Sequence, residues 1–237
     1  MQPAETQAVD AAKRAAGEAA VMLVQDGMVL GLGTGSTVAF VLAALAERVR
    51  NEGLRISGVP TSRRTEERAR ALGIPLTDLD ARPELDLAID GADEVETGTL
   101  ALIKGLGGAL LREKIVATSA RRFVVVVDES KVVERLGTRA PVPVEVVPFA
   151  RAATARRLER LGGRAVLRMG PDGAPFVTDN GNLIYDMHTG GPIGDAAALE
   201  HAFAAIPGVV ESGLFTSGVA RAFVGYADGT TRTLGSG

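Results

Sequence analysis

Between Asp90 and Lys114 the chain gathers Asp90-Gly91-Ala92-Asp93-Glu94, then Lys104-Gly105-Leu106-Gly107-Gly108, then Arg112-Glu113-Lys114. Asp90 and Asp93 flank a small-residue turn, so both carboxylates can face one cleft. Acids paired in a semi-enclosed site separate in proton affinity, which suits proton transfer. Two plainer uses stay open for them: turn-forming aspartates, and a divalent metal site with no histidine nearby. Glu113 lies on a helix expected from Gly108 to Ala120, with Leu110, Val116 and Ala117 as its neighbours on the helical wheel. Leu111 and Ile115 cover much of the remaining circumference, so the helix should be buried on most sides. Desolvation there would suit Glu113 to act as a general base; the plain alternative is an exposed glutamate paired with Arg112 or Lys114. Lys104, just before the glycines, can neutralise an oxyanion or a phosphate.

A second constellation is Gly31-Leu32-Gly33-Thr34-Gly35-Ser36-Thr37, which follows a strand and opens a helix. Backbone N–H groups at such a turn, with the Thr34, Ser36 and Thr37 hydroxyls, form an anion cradle, or else simply cap the helix. No Gly-Lys-Ser/Thr follows, so it is not a Walker A loop. Ser36 replaces the third glycine of a dinucleotide fingerprint, and the next strand ends at Val59-Pro60-Thr61 without an acid. Lys131, after Val127-Asp128-Glu129-Ser130, and Lys13 in the first helix read singly as surface lysines. His188 and His201 have no partner pattern, and Arg151, Arg156, Arg157, Arg160 and Arg164 read as a solvated helix face.

The elements that must position these groups alternate. Helices are expected over 7–25, Val38–Arg50 and Thr65–Leu72, and strands over Met28–Leu32, Leu54–Val59, Leu85–Ile89 and Phe123–Val127. That order predicts an α/β, Rossmann-like, mostly parallel sheet with helices on both faces. Past residue 138, Pro141, Pro143 and Pro148 mark an extended entry. A helix over Ala150–Leu161, a strand near Ala165–Met169, a hairpin around Asn180-Gly181 and a helix over Asp195–Ala205 follow. This is a smaller α+β, ferredoxin-like domain. Residues 1–138 with 209–237 are expected to form the catalytic domain and 139–208 the small one. Gly213-Leu214-Phe215 and Ala222–Gly225 should rejoin the first sheet, and Gly235–Gly237 should fray.

Composition narrows the partners. A net charge of −3 gives no global attraction to nucleic acid or anionic lipid, and zero cysteines exclude disulfides, thiol nucleophiles and thiolate metal sites. No leader with an apolar core and no apolar stretch long enough to span a bilayer is visible, so a soluble cytoplasmic protein is expected.

Taken in order, Gly33–Thr37, Asp90–Glu94, Lys104-Gly105 through Arg112–Ile115, Asp128–Lys131, Pro143–Pro148 and Thr178–Asn182 resemble the type A ribose-5-phosphate isomerase family over nearly the whole chain. The resemblance implies interconversion of ribose 5-phosphate and ribulose 5-phosphate in the non-oxidative pentose phosphate pathway, without cofactor or metal, by a homodimer or homotetramer. It implies Glu113 as the base moving a proton between C2 and C1, with Asp90, Asp93 and Lys104 around O1 and O2. Thr34, Gly35, Ser36, Thr37, Gly91, Ala92, Gly105, Leu106, Gly107, Lys131 and Lys13 would complete the substrate site. Leu106 stands where the family usually has a third consecutive glycine, and Leu111 where threonine is common; a positive φ at 106 would strain the loop. Rival readings are a non-catalytic sugar-phosphate sensor, a nicotinamide oxidoreductase and an acyl-CoA transferase with a nucleophilic glutamate. The first lacks room for a helix-turn-helix before Gly31, the second has a broken glycine pattern, and the third leaves Asp90 and Asp93 idle.

Overall fold

The computed structural model describes residues 3–235. Ser236 and Gly237 of the expected frayed end lie outside the described residues, as do Met1 and Gln2. In chain order the elements begin α1 (Pro3–Val21), β1 (Val29–Leu32), α2 (Val38–Glu52), β2 (Ser57–Pro60), α3 (Arg63–Ala71) and β3 (Leu87–Asp90). Next come β4 (Glu94–Glu96), β5 (Leu102–Ile103), α4 (Leu110–Thr118), β6 (Phe123–Asp128), a 3-10 turn (Glu129–Lys131) and β7 (Val132–Val133). The chain closes with β8 (Val142–Val146), α5 (Arg151–Glu159), β9 (Arg164–Leu167), β10 (Leu183–His188), α6 (Ala196–Ala204), β11 (Val209–Ser212), β12 (Leu214–Phe215), β13 (Val219–Gly225) and β14 (Thr231–Leu234). These form two compact units: Met1–Ala92, Arg112–Val132 and Gly218–Gly237 in one, Asp93–Leu111 and Val133–Ser217 in the other.

The first unit is built on a six-stranded sheet ordered β14-β13-β6-β3-β1-β2, parallel except for the β13–β14 pair. Strand side chains alternate between faces, and here the two faces differ in size. Leu30, Leu32, Leu87, Ile89, Val124 and Val126 share one core with Ala16 and Ala20 of α1, Leu42 and Leu45 of α2 and Ala69 of α3. Gly31 and Ala88 point the other way, toward α4: a Cβ at Gly31 would lie 2.5 Å from Val116 Cγ1. Small residues on that face let α4 approach the sheet closely. The α4 helix is buried on one side rather than most: Leu110, Glu113, Val116 and Ala117 are buried, but Ile115 is 45% exposed. Its sheet-facing stripe is narrow, and a lone apolar side chain in water costs little.

In the second unit β8-α5-β9-β10-α6-β11 folds into a four-stranded antiparallel sheet ordered β11-β8-β10-β9, the ferredoxin-like arrangement expected. Val142, Val144 and Val146 pack with Leu158 of α5 and Phe203 of α6. A small third sheet, β12-β5-β4-β7, was not foreseen. The tail therefore divides. β13 joins the main sheet beside β6, whereas Leu214-Phe215 pairs with Ile103 and Leu102 of β5. Burial decides the latter, since Leu214 and Ile103 are wholly enclosed in the second unit's core. Among the described residues no helix is long and apolar enough to cross a membrane.

Candidate active site

In the parallel sheet β1 connects through α2 to β2 on one side, and β3 connects onward to β6 on the other. The crevice beyond the carboxyl ends of β1 and β3 is therefore a topological switch point, where open α/β sheets hold ligands. Gly33–Thr37 and Asp90 meet there. The Gly33 N–H donates to the Ile89 carbonyl at 3.0 Å. The Asp90 Oδ1 accepts from the Thr34 N–H at 2.9 Å and the Gly91 N–H at 2.7 Å. A Cβ on Gly33 would lie 2.1 Å from Asp90 Oδ1, so only glycine fits; Gly35 is needed for a φ of +122°.

Thr34 is buried with its hydroxyl turned inward, 2.8 Å from both Thr61 Oγ1 and Ser62 Oγ. Thr65 joins this cluster and donates to the Gly33 carbonyl at 2.8 Å. Thr34 thus anchors the loop from beneath. Gly35 and Ser36 are exposed, and Thr37 makes no side-chain cap. Among the described residues the N–H groups of Gly35, Ser36 and Thr37 have no acceptor, so this turn presents three backbone donors at the start of α2.

Glu113 reaches the same region from α4. With Asp90 it lines a narrow crevice, together with Gly31, Gly33, Thr61, Ala88, Val116 and Phe123. Glu113 is 4% exposed and Asp90 3%. Glu113 Oε2 is buried without a hydrogen-bond donor among the described residues, although the residue has other interactions. Beyond β6, Asp128 accepts from the Ser130 N–H at 3.0 Å and from its hydroxyl, shaping the turn that carries Lys131. The α1 backbone crosses the end of β13: a Cβ on Gly225 would lie 1.8 Å from the Ala12 carbonyl oxygen. Gly225 is the register partner of Asp128, so Lys13, next to Ala12, also sits at the carboxyl edge of the sheet.

The remaining expected residues belong to the second unit. Gly91 and Ala92 close the first unit's segment, and Asp93 opens the second's. The Asp93 Oδ2 accepts the Leu106 N–H at 2.9 Å. Lys104 is 2% exposed; its N–H donates to the Gly213 carbonyl at 2.8 Å and its Nζ lies 5.6 Å from the Phe215 ring centroid. In the loop that follows, Gly105 and Gly108 have positive φ, +98° and +84°, and Leu106 does not. Leu106 therefore brings no backbone strain, and its side chain is 43% exposed. Glu94, next to Asp93, does unrelated work: wholly buried, its carboxylate accepts the N–H groups of Gly137, Arg139 and Ala140.

Sequence reasoning missed the Thr61-Ser62-Thr65 hydroxyls and the Arg168–Asp186 pair. The first follow a strand's carboxyl end, the rule that located Asp90. The second was visible only as an Asp interrupting the apolar run Leu183–Met187. Among the described residues no group of three His, Asp or Glu side chains could hold a metal ion.

The fold and this edge define an α/β protein with a donor-rich glycine turn and buried carboxylates at its switch point. Residues 57–229 match the family model described as ribose 5-phosphate isomerase A (phosphoriboisomerase A). The chain is 57% identical to the ribose-5-phosphate isomerase A of Roseiflexus castenholzii, across 92% of each protein. Its fold superposes on the solved ribose 5-phosphate isomerase A of Methanocaldococcus jannaschii with a TM-score of 0.90 and 48% identity, covering 94% of this chain and 98% of that one. A D-ribose-5-phosphate isomerase solved in complex with phospho-erythronic acid gives 0.92 and 40%, covering 96% and 99%. The chain belongs to the ribose 5-phosphate isomerase A family, and with it to the aldose–ketose isomerases.

Proposed function

We propose that this chain interconverts D-ribose 5-phosphate and D-ribulose 5-phosphate through an enediolate, with Glu113 as the base, in the non-oxidative pentose phosphate pathway. The observation that carries this reading is the shared crevice of Glu113 and Asp90 beside the Gly33–Thr37 cradle. After ring opening, the Glu113 carboxylate takes the proton from C2, the C2–H electrons form the C1–C2 double bond, and O1 is left as an oxyanion. Transfer of the O2 hydroxyl proton to O1 shifts the negative charge to O2; Glu113 then returns its proton to C1 as O2 becomes the carbonyl, giving the ketose with no external oxidant or reductant consumed. Lys104 opposes the charge developing on O1 and O2, and Asp90 and Asp93 handle the hydroxyl protons during ring opening. The phosphate, held by the 34–37 turn and by Lys131 and Lys13, supplies remote binding energy that orients the reacting carbons. A relative solved with phospho-erythronic acid, itself a phosphate on a hydroxylated acid, supports a sugar-phosphate ligand. Assembly as a homodimer or homotetramer rests on the family resemblance, and light scattering tests it.

Purified protein given ribose 5-phosphate, with no nucleotide added, should form the ketose. Absence of ketose would sink the proposal.

A further inference from the structure

We propose that Arg168, held by Asp186, is a positioning residue that sets the peptide planes of the Lys104–Gly108 loop. Arg168 follows β9 opposite Ile184, and Asp186 lies two residues further along the neighbouring β10, as the register partner of Val166. The Arg168 Nε donates to Asp186 Oδ2 at 2.9 Å, and Nη2 donates to Oδ1, a bidentate pair with side chains only 12% and 17% exposed. That grip leaves Nη1 aimed at the loop, where it donates to the Gly105 carbonyl at 2.9 Å and the Leu106 carbonyl at 3.1 Å. The Phe176 ring lies beneath the guanidinium, 5.9 Å from Cζ to centroid. The same ring meets the loop's far end, where a Cβ on Gly108 would lie 2.5 Å from its Cζ.

The consequence follows from planar trans peptides. With the carbonyls of 105 and 106 drawn toward Arg168, the N–H groups of Leu106 and Gly107 must point the opposite way. The Leu106 N–H meets Asp93 Oδ2, so the clamp also holds the Asp93 carboxylate. Among the described residues the Gly107 N–H has no acceptor. A cation on the carbonyl side polarises each peptide and strengthens its N–H as a donor. Arg168 thereby prepares the Gly107 N–H and Asp93 for an oxygen of the substrate. The planar fork of the guanidinium holds the carboxylate with two nitrogens and turns a third to two consecutive carbonyls, a geometry that the single nitrogen of an ammonium does not reproduce. The functional half of this inference rests on the proposed isomerase reading.

Arg168→Lys, Asp186→Asn and the paired Arg168→Met/Asp186→Leu variant test it beside Glu113→Gln. Arg168→Lys should lower kcat/KM by about 10- to 100-fold, mostly in kcat, while remaining folded. Asp186→Asn should move the same way by less. The paired variant removes both charges, so it leaves no unpaired buried ion and should fold, yet stay impaired. Amide exchange at residues 105–108, measured without substrate, should quicken in all three. Unchanged exchange, or wild-type kcat/KM in the folded paired variant, would overturn the clamp. Loss of activity only in proportion to the unfolded fraction would also overturn it. If the wild type forms no ketose, the isomerase reading falls, and the exchange result still decides the clamp.

Discussion

The two glycine-rich loops, Gly33–Thr37 in the first unit and Lys104–Gly108 in the second, are held by different means. The first lies at a strand–helix junction, pinned by one carboxylate, Asp90, and by neutral hydroxyls from Thr61, Ser62 and Thr65. The second joins the two-residue β5 to α4 and is gripped by charge, Asp93 on one N–H and Arg168 on two carbonyls. In the first loop Asp90 accepts the N–H groups of Thr34 and Gly91, and under the proposed function the N–H groups of Gly35, Ser36 and Thr37 are left to answer to the ligand. Under the proposed function the second loop presents a peptide N–H and a lysine, and the Arg168 guanidinium fixes its carbonyls with little freedom. The difference teaches that two glycine-rich loops of one chain can rest on unlike supports, hydroxyls and one carboxylate beneath the first and a carboxylate with a guanidinium about the second.

Substitutions can break this contrast. Gly33→Ala should have the largest effect, since the new methyl would meet Asp90 Oδ1 at 2.1 Å and Asp90 Cα at 2.6 Å. Backbone has to move, so about 1–3 kcal/mol of stability should go, seen as a lower urea midpoint, together with most activity. Next, Thr65→Val strips the Gly33 carbonyl of a buried donor. It should cost about 1–3 kcal/mol and raise KM more than it lowers kcat, if the hydroxyl cluster shapes the phosphate cradle. A pure kcat effect would place the cluster elsewhere in the reaction. Leu106→Gly should do least. Its φ is not positive and its side chain is partly exposed, so activity should stay near wild type and stability fall by about 1 kcal/mol or less. A large gain in turnover would mean that the leucine obstructs the site.

Local chemistry explains why one loop was legible in the sequence and the other only in part. The Gly33–Thr37 turn, Asp90 at a strand end and Glu113 among apolar residues all follow from pattern and neighbour spacing. So do most elements, with shifted ends. The first helix stops at Val21, although Met22-Leu23-Val24 continues its apolar pattern, because Val24 is buried as part of a turn instead. β2 begins at Ser57 rather than Leu54, since Leu54 and Ile56 are buried while Arg55 bonds to Asp26 and Gly27. Two-residue strands such as β5 and β12 are too short to show a period. Arg168 reaches Gly105 across 63 positions, and nothing near either residue announces the bond. Glu94, a carboxylate beside the candidate acids, instead satisfies three backbone N–H groups distant in sequence, which nothing local announces.

The central claim is that Glu113 moves the proton. Isomerisation of ribose 5-phosphate by Glu113→Gln, measured alongside its binding of phospho-erythronic acid, tests it most directly. The account predicts a fall in kcat of about 10²- to 10⁴-fold with ligand binding largely kept. Near-wild-type turnover in the variant, or a loss of binding equal to the loss of turnover, would contradict it.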